Sequence, residues 1–427
     1  MYKPLSELAV INPSCEIPRG FSVLTPVSFI PMSDVNESGH WFYHQIRPLG
    51  SVLNGFTPFV EGDVLVAKIT PCMENGKGTL AKKLENGIGF GSTEFHVLRA
   101  RSGTSARFLF HISQSKKFRT IAETFMIGSA GQQRVQRQFF DAYLVPNLSF
   151  DEQEQIANIL DTLDTTIRQT EAIIAKLQQV KQGLLHDLLT RGIDANGQLR
   201  PPVEQAPHLY KESPLGWIPR EWEAKAFGQF AAKIQDGTHF SPNIRGGEYL
   251  YVTSKNIRFG YLDLSNVDKI DKVQHDAIYR RCDVKYGDLL LTKDGANTGN
   301  AAINTCIEQI SLLSSVAFIR FNERQDEAQF FFQYLLSPQG QQRMKDLMSG
   351  NAITRLTLQK IRGSCVPCPQ FVEQEKIGHV LATQDRDIYA QRELLNKLNQ
   401  QKSALMDDLL TGRVRVTALL AQVDASP

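Results

Sequence analysis

Two stretches of the chain carry apolar side chains at seven-residue spacing. In the first, Ile156, Leu163, Leu177 and Leu184 hold one position and Leu160, Ile167, Ile174 and Leu188 the other, interrupted by Thr170 and Lys181. In the second, Ile377, Leu398 and Leu405 alternate with Leu381, Ile388, Leu395 and Leu409, interrupted by Gln384, Gln391 and Lys402. Sustained over about five heptads, this pattern predicts a coiled-coil seam on two long helices. At about 1.5 Å per residue, a helix of roughly 40 residues is about 60 Å long. Lys181 and Lys402 fall at equivalent seam positions, where a charge is costly to bury but fixes register. The plainer alternative is two amphipathic helices, each packed on its own domain.

The two helices are copies. Val145-Pro146 with Phe150-Asp-Glu-Gln-Glu-Gln-Ile156 returns as Val366-Pro367 with Phe371-Val-Glu-Gln-Glu-Lys-Ile377, and the register then holds without a gap to Thr190 and Thr411, with 20 of 46 positions identical at an offset of 221. What precedes each helix is related more distantly. Gly62-Asp-Val-Leu-Val-Ala-Lys68 matches Gly287-Asp-Leu-Leu-Leu-Thr-Lys293, an apolar strand running out to a lysine and a Gly/Asn-rich loop. Ala106-Arg-Phe108 answers Ala328-Gln-Phe330, and Arg134 answers Arg355. A Pro-rich stretch from Arg200-Pro-Pro202 to Ser213-Pro-Leu-Gly-Trp-Ile-Pro219 separates the halves. The order is therefore a domain over residues 1–149, a helix over 150–195, a second domain with a Pro-rich lead-in over 196–369, a helix over 370–415 and a tail over 416–427. The expected fold class is α+β: two mixed α/β domains joined and separated by two long antiparallel coiled-coil helices, an internal repeat with a pseudo-two-fold axis.

Composition narrows the class. The 427 residues are 42% hydrophobic, 22% charged and 9% aromatic, which excludes a mainly disordered, collagen-like or membrane-embedded chain. No apolar run reaches the roughly 18 residues of a membrane span, and Met1-Tyr-Lys-Pro-Leu lacks the core of a secretory signal; the expected location is cytoplasmic. Six cysteines are too few for a disulfide framework. Net charge is only +2, but it is unevenly spread. The segments 1–149 and 200–365 carry +4 and +3, whereas 150–190 and 366–427 carry −4 and −1. A polyanion would meet the domains and be repelled by the helices.

Catalytic signatures are missing. Gly87-Ile-Gly-Phe-Gly91 follows Lys82-Lys83 and Glu85-Asn86 instead of a buried strand, and Gly76-Lys77-Gly78 lacks the flanking residues of an ATPase phosphate loop. Cys365-Val-Pro-Cys368 has no second ligand pair at zinc spacing, and His40 and His44 lack the glutamate of a zinc hydrolase. No metal site and no catalytic residue is expected.

Over nearly the whole chain these residues resemble the specificity subunit of a Type I restriction-modification system. Phe29-Ile-Pro-Met32, the run from Gly62 to Lys77, and Gly91-Ser-Thr-Glu-Phe-His-Val97 resemble one kind of target-recognition domain. Asp236-Gly-Thr-His-Phe-Ser-Pro242, Thr253-Ser-Lys-Asn-Ile257 and the run from Gly287 to Gly299 resemble another, and Glu152-Gln153 and Glu373-Gln374 match the starts of the family's spacer helices. The resemblance implies a non-catalytic reader of double-stranded DNA that recognises a bipartite asymmetric site, one half per domain. It also implies two methylation subunits and two restriction subunits as partners, with SAM, ATP and Mg bound by those partners and none by this chain. In the motif loops, Lys68, Thr70, Asn75 and Lys77 in the first domain and His239, Lys255, Asn256, Lys293, Asn297 and Thr298 in the second offer donors suited to phosphates and base edges. Asp63 and Asp288, beside glycines, are equally suited to shaping turns. Two alternatives are a similar reader whose partner fuses methylation and cleavage and cuts both sides of its site, and a coiled-coil scaffold that reads no DNA.

Overall fold

The structure is a computed structural model that describes residues 2–423 apart from Ala130, Arg245, 323–326 and 349–354; positions 424–427 of the predicted tail lie outside the described residues. The chain forms two compact units, residues 1–172 with 393–427, and residues 173–392. Each unit thus combines one domain with part of each long helix, which cuts across the linear order of segments.

The helices run from Phe150 to Thr190 and from Phe371 to Leu409. The first opens on a capping box: the Glu152 amide donates to Ser149 Oγ at 3.3 Å and the Ser149 amide to Glu152 Oε2 at 3.0 Å. Each helix is closed by a glycine in the left-handed region, Gly192 at φ +61° and Gly412 at φ +70°. A Cβ on Gly192 would lie 2.4 Å from the Trp222 ring, so glycine is required there for space as well as for φ. Both helices end short of their expected bounds, at Thr190 instead of 195 and at Leu409 instead of 415, and the chain after Gly412 turns back to bury Val416 in the first unit's core.

The seam is buried as the spacing predicts at Ile156, Leu160, Ile167, Ile174 and Leu188 and at Ile377, Leu381, Ile388, Leu398 and Leu409. Leu163, Leu177, Leu184, Leu395 and Leu405 are half-buried. The heptads missed a second apolar face near the helix ends. Leu185 and Leu189 join the core of the second unit, and Met406 and Leu410 that of the first. A two-stranded seam uses two positions per heptad, but a helix also covered by a domain needs a wider stripe. Both seam lysines are answered by aspartates. Lys181 Nζ lies 2.5 Å from Asp385 Oδ1 in the second unit, and Lys402 pairs with Asp164 in the first. Asp385 is the repeat of Asp164, so the two pairs are one interaction with its partners exchanged between copies.

In the first unit, strands Ala9–Ile11, Phe95–Ala100, Val64–Ala67 and Gly78–Leu80 pair in that order, antiparallel throughout. In the second, Lys233–Asp236, Val316–Arg320, Leu289–Thr292 and Ala301–Ile303 repeat the arrangement. The central strands Val64–Ala67 and Leu289–Thr292 are buried along their whole length, which accounts for their unbroken apolar runs. Each unit adds a second, mixed sheet. The first has four strands, including Thr57–Val60; the second has three. No described helix is long and apolar enough to cross a membrane.

Candidate nucleic-acid interface

The Gly-Asp motif is a staple. The Asp63 side chain is buried, accepts the Val60 amide at 2.8 Å and holds Arg99 through Nε at 2.8 Å and Nη2 at 2.7 Å. Asp288 does the same with the Lys285 amide at 2.7 Å and with Arg320 at 2.9 and 2.8 Å. These bidentate pairs tie adjacent strands of the main sheet. The turn-shaping reading of Asp63 and Asp288 therefore holds, with a strand tie added to it.

Past the staple, each unit gathers its three motifs at one corner. In the first, the Ser92 amide donates to Ile30 O at 3.2 Å and the Lys68 amide to Glu94 O at 2.9 Å, joining the loops at 31–32, 68–77 and 92–94. Arg134 reaches the same place, its Nη2 2.8 Å from Glu94 Oε1. That hydrogen bond holds the Glu94 carboxyl below its ordinary value against the opposing effect of burial. In the second, the Ser254 amide donates to Ser315 Oγ at 3.2 Å and Asn297 Nδ2 to Ser254 O at 3.4 Å, while Lys293 Nζ lies 3.3 Å from Asp236 Oδ2. Arg355 joins through Asp294 at 3.0 Å. The repeat had paired Arg134 with Arg355 without naming either as a site residue. A strand bridge, Ile69 to Arg134 and Asp294 to Arg355, brings both into the corner.

The expected contact residues divide by placement. Lys68 and Lys77 are half-buried and Asn75 is exposed on the first loop. Thr70 is turned inward, its hydroxyl donating to Glu74 Oε1 at 2.6 Å. His239 and Lys255 are exposed, the first 3.5 Å from Asp236 and the second paired with Asp268 at 2.6 Å. Asn297 and Thr298 are half-buried, and the Thr298 hydroxyl donates to Gly295 O at 2.6 Å. Two expectations are corrected. Lys293 is 2% exposed and sits between Asp236 and Asp294, so its ammonium is an internal counter-ion. Asn256 is buried as well; its Oδ1 accepts the Thr253 amide at 2.9 Å and its Nδ2 donates to Asp263 O at 3.1 Å, so it holds a turn. Both carry donor groups suited to DNA, and burial has spent those donors inside the fold.

The Glu-Gln pairs at the helix starts are latches. Gln153 Oε1 accepts the Ser105 amide at 3.0 Å and its Nε2 donates to Leu148 O at 3.1 Å. Gln374 accepts the Glu327 amide at 2.9 Å and donates to Pro369 O at 2.9 Å. Each therefore fastens the first turn of a domain helix, Ala106–Gln114 or Ala328–Leu336, to the start of a long helix. Glu152 takes Arg415 through two bonds of 2.8 Å, and Glu373 takes Arg200 at 2.6 Å together with Trp222 Nε1 at 3.0 Å. His111, Asp161 and Asp164 cluster closely, but Arg107 and Lys402 already balance the carboxylates, which makes the group an ion-pair network.

Fold and corner together define an internally duplicated protein of two mixed α/β domains, each latched to antiparallel helices and each presenting motif loops at one corner of its main sheet. The family model for the Type I restriction modification DNA specificity domain matches residues 25–179 and 219–400, one match per repeat, and the chain belongs to that family. Among its relatives are the specificity subunits of the Type I restriction enzymes EcoEI and EcoAI of Escherichia coli, each 35% identical, over 193 and 192 residues. These alignments cover 45% and 43% of this chain and 32% of each relative, so the match spans about a third of those proteins. The MjaVIII specificity subunit of Methanocaldococcus jannaschii is 24% identical over 68% of this chain and 66% of its own. The fold is shared with the S subunit of a Type I restriction-modification system from M. genitalium, at TM-score 0.59 and 14% identity over 96% of both chains. It is shared too with a chain of a type I R-M system, at TM-score 0.52 and 16% identity over 97% of this chain and 98% of that one.

Proposed function

We propose that this chain is the DNA-reading subunit of a Type I restriction-modification complex, each domain reading one half of a bipartite, asymmetric site in double-stranded DNA. The observation that carries this reading is the corner built twice. Three separate motifs converge in each unit and leave basic groups at the rim: Lys68, Lys77 and Arg134 in one, Lys255, Arg355 and His239 in the other. Lysine and arginine supply phosphate contacts that set position, and loop donors read base edges. Different loops on a common frame account for two different half-sites.

In this reading the chain carries no catalytic group. Two methylation subunits act on one adenine in each half-site and two restriction subunits join them in the cytoplasm, with SAM, ATP and Mg bound by those partners. Adenine methylation requires the base to leave the stack, so a reader that grips the duplex beside the partner's active site is mechanically apt. The test is to sequence methylated adenines in cells carrying this chain with its methylation subunit, then to exchange residues 1–145 for another family member's domain. The expected result is a split motif in which only one half changes. Methylation without sequence preference, or a change in both halves, would overturn independent reading.

A further inference from the structure

The joints between domain helix and long helix occupy equivalent places in the two units but differ in their polar groups. In the second unit, Gln333 is fully buried on the helix Ala328–Leu336, its Nε2 donating to Asp385 Oδ2 at 2.7 Å while its Oε1 has no partner among the described residues. His111 occupies the same place on the helix Ala106–Gln114 of the first unit. Its Nε2 lies 2.8 Å from Asp161 Oδ1, and its Nδ1 is buried without a hydrogen-bond partner among the described residues, 4.0 Å from Asp164 Oδ2. Each joint thus leaves one buried polar atom unpaired. An amide oxygen has no way of gaining a proton at ordinary pH; an imidazole nitrogen does.

We propose that His111 is a proton-operated positioning residue that clamps the first domain to its long helix, whereas Gln333 makes the second joint indifferent to pH. A second proton turns Nδ1 into a donor aimed at Asp164 and places a cation between two carboxylates. Loss of that proton leaves a buried lone pair facing Asp164, where an unpaired polar atom is costly. The surrounding charges set the sign. From the long helices, Asp161, Asp164 and Glu154 face the joint, with Lys402 on Asp164; the domain helix contributes Arg107, bonded to Asp161 at 2.8 Å and to Glu154 at 3.2 Å. His40, His44, Lys82, Lys83 and Arg168 border the polar cavity, about 300 Å³ in volume, that Asp161 and Asp164 also line. Asp161 and Asp164 both present oxygens to the ring, so protonation tightens the joint and rising pH loosens it. At the second joint Ala382 replaces Asp161 and Gln329 replaces Arg107, and His379, at the position of Asn158, is exposed to solvent.

The experiment is amide hydrogen exchange on the full chain from about pH 5 to about pH 8, expressed as protection so that intrinsic exchange cancels. One proton coupled to opening changes protection by at most about tenfold per pH unit. Protection of residues 106–114 is expected to fall about fivefold or more as pH rises, with residues 328–336 unchanged. H111Q should flatten the first profile. The doubly substituted Q333H/A382D chain, which rebuilds the histidine and its second carboxylate in the other unit, should confer pH dependence on 328–336. Parallel profiles for the two helices in the unsubstituted chain, or a flat profile at 328–336 in the rebuilt chain, would overturn the proposal even if H111Q fails to fold.

Discussion

The two units share sheet order, the aspartate–arginine staple, the glutamine latch and the lysine–aspartate pair on the seam, and differ in where they bury charge. At the corner the first unit leaves Lys68 half-buried beside a Glu94–Arg134 pair, whereas the second sinks Lys293 between Asp236 and Asp294. At the joint the order reverses: the first holds Arg107, His111 and Asp161, the second a glutamine, a glutamine and an alanine. The difference separates frame from variable parts. Contacts that set strand register and helix attachment are duplicated closely, since a shifted staple would disturb a packed sheet. Charges at the rim and the joint carry no such constraint, and they are where the copies have diverged.

The largest effect that would break the equivalence is expected at the paired lysines. Lys293→Ala leaves buried Asp236 without its cation and should cost the second unit about 3–5 kcal/mol. Lys68→Ala, at a half-buried position, should cost under about 1 kcal/mol. Urea unfolding read separately in each unit by hydrogen exchange checks both. If Lys68 meets a phosphate, its loss lowers the salt slope of DNA binding by about one unit; an unchanged slope would place it in the frame.

The helix-start glutamates come next. Glu373→Ala leaves the buried Trp222 and Ile193 N–H groups without their acceptor and buried Arg200 with only the exposed Glu221 as its carboxylate, and should destabilise the second unit by about 3 kcal/mol. Glu152→Ala frees an Arg415 that is half-exposed and able to find water, so about 1–2 kcal/mol is expected. Equal losses would show that the burial of the arginine is not what separates them.

The glutamine latches sharpen the likeness instead. Gln153→Ala and Gln374→Ala each leave one backbone N–H unpaired, that of buried Ser105 or of half-buried Glu327, and each should cost about 1–2 kcal/mol with a matching rise in exchange at the first turn of its domain helix. A twofold disparity would mean that the latches are not equivalent.

The smallest effect concerns acid. Burial raises the Asp161 carboxyl, but bonds and charge from His111 and Arg107 outweigh it and hold the group down at about 2. A depressed folded value gives stability that is fully present above the unfolded value of about 3.9 and is lost as pH falls through about 2. Asp161 is more than a third exposed, so solvent screening reduces the contribution to about 1 kcal/mol. The stability difference between the native chain and Asp161→Asn should shrink across that window, with no counterpart at Ala382 of the second unit.

The sequence by itself determined what repeats. An identical register over 46 residues and a heptad pattern specify two long helices, and Gly-Asp before an apolar run specifies a turn leading into a strand, because these depend on local spacing and on side chains whose chemistry is fixed by residue type. Ser149 and Glu152 carry a cap that four consecutive residues suffice to build. Tertiary structure decided which donors remain free. Lys293 and Lys68 read alike in the sequence, yet Asp236, 57 positions away, neutralises one and nothing comparable reaches the other among the described residues. Asn256 had its amide consumed by Thr253 and Asp263, and the wider apolar stripe at Leu185 and Met406 exists only because a domain packs there. Likewise, His111 is an ordinary helical residue until Asp161 and Asp164 are brought around its ring: periodicity records which face of a helix is covered, but ion pairing depends on which groups distant parts of the chain place within a few ångströms.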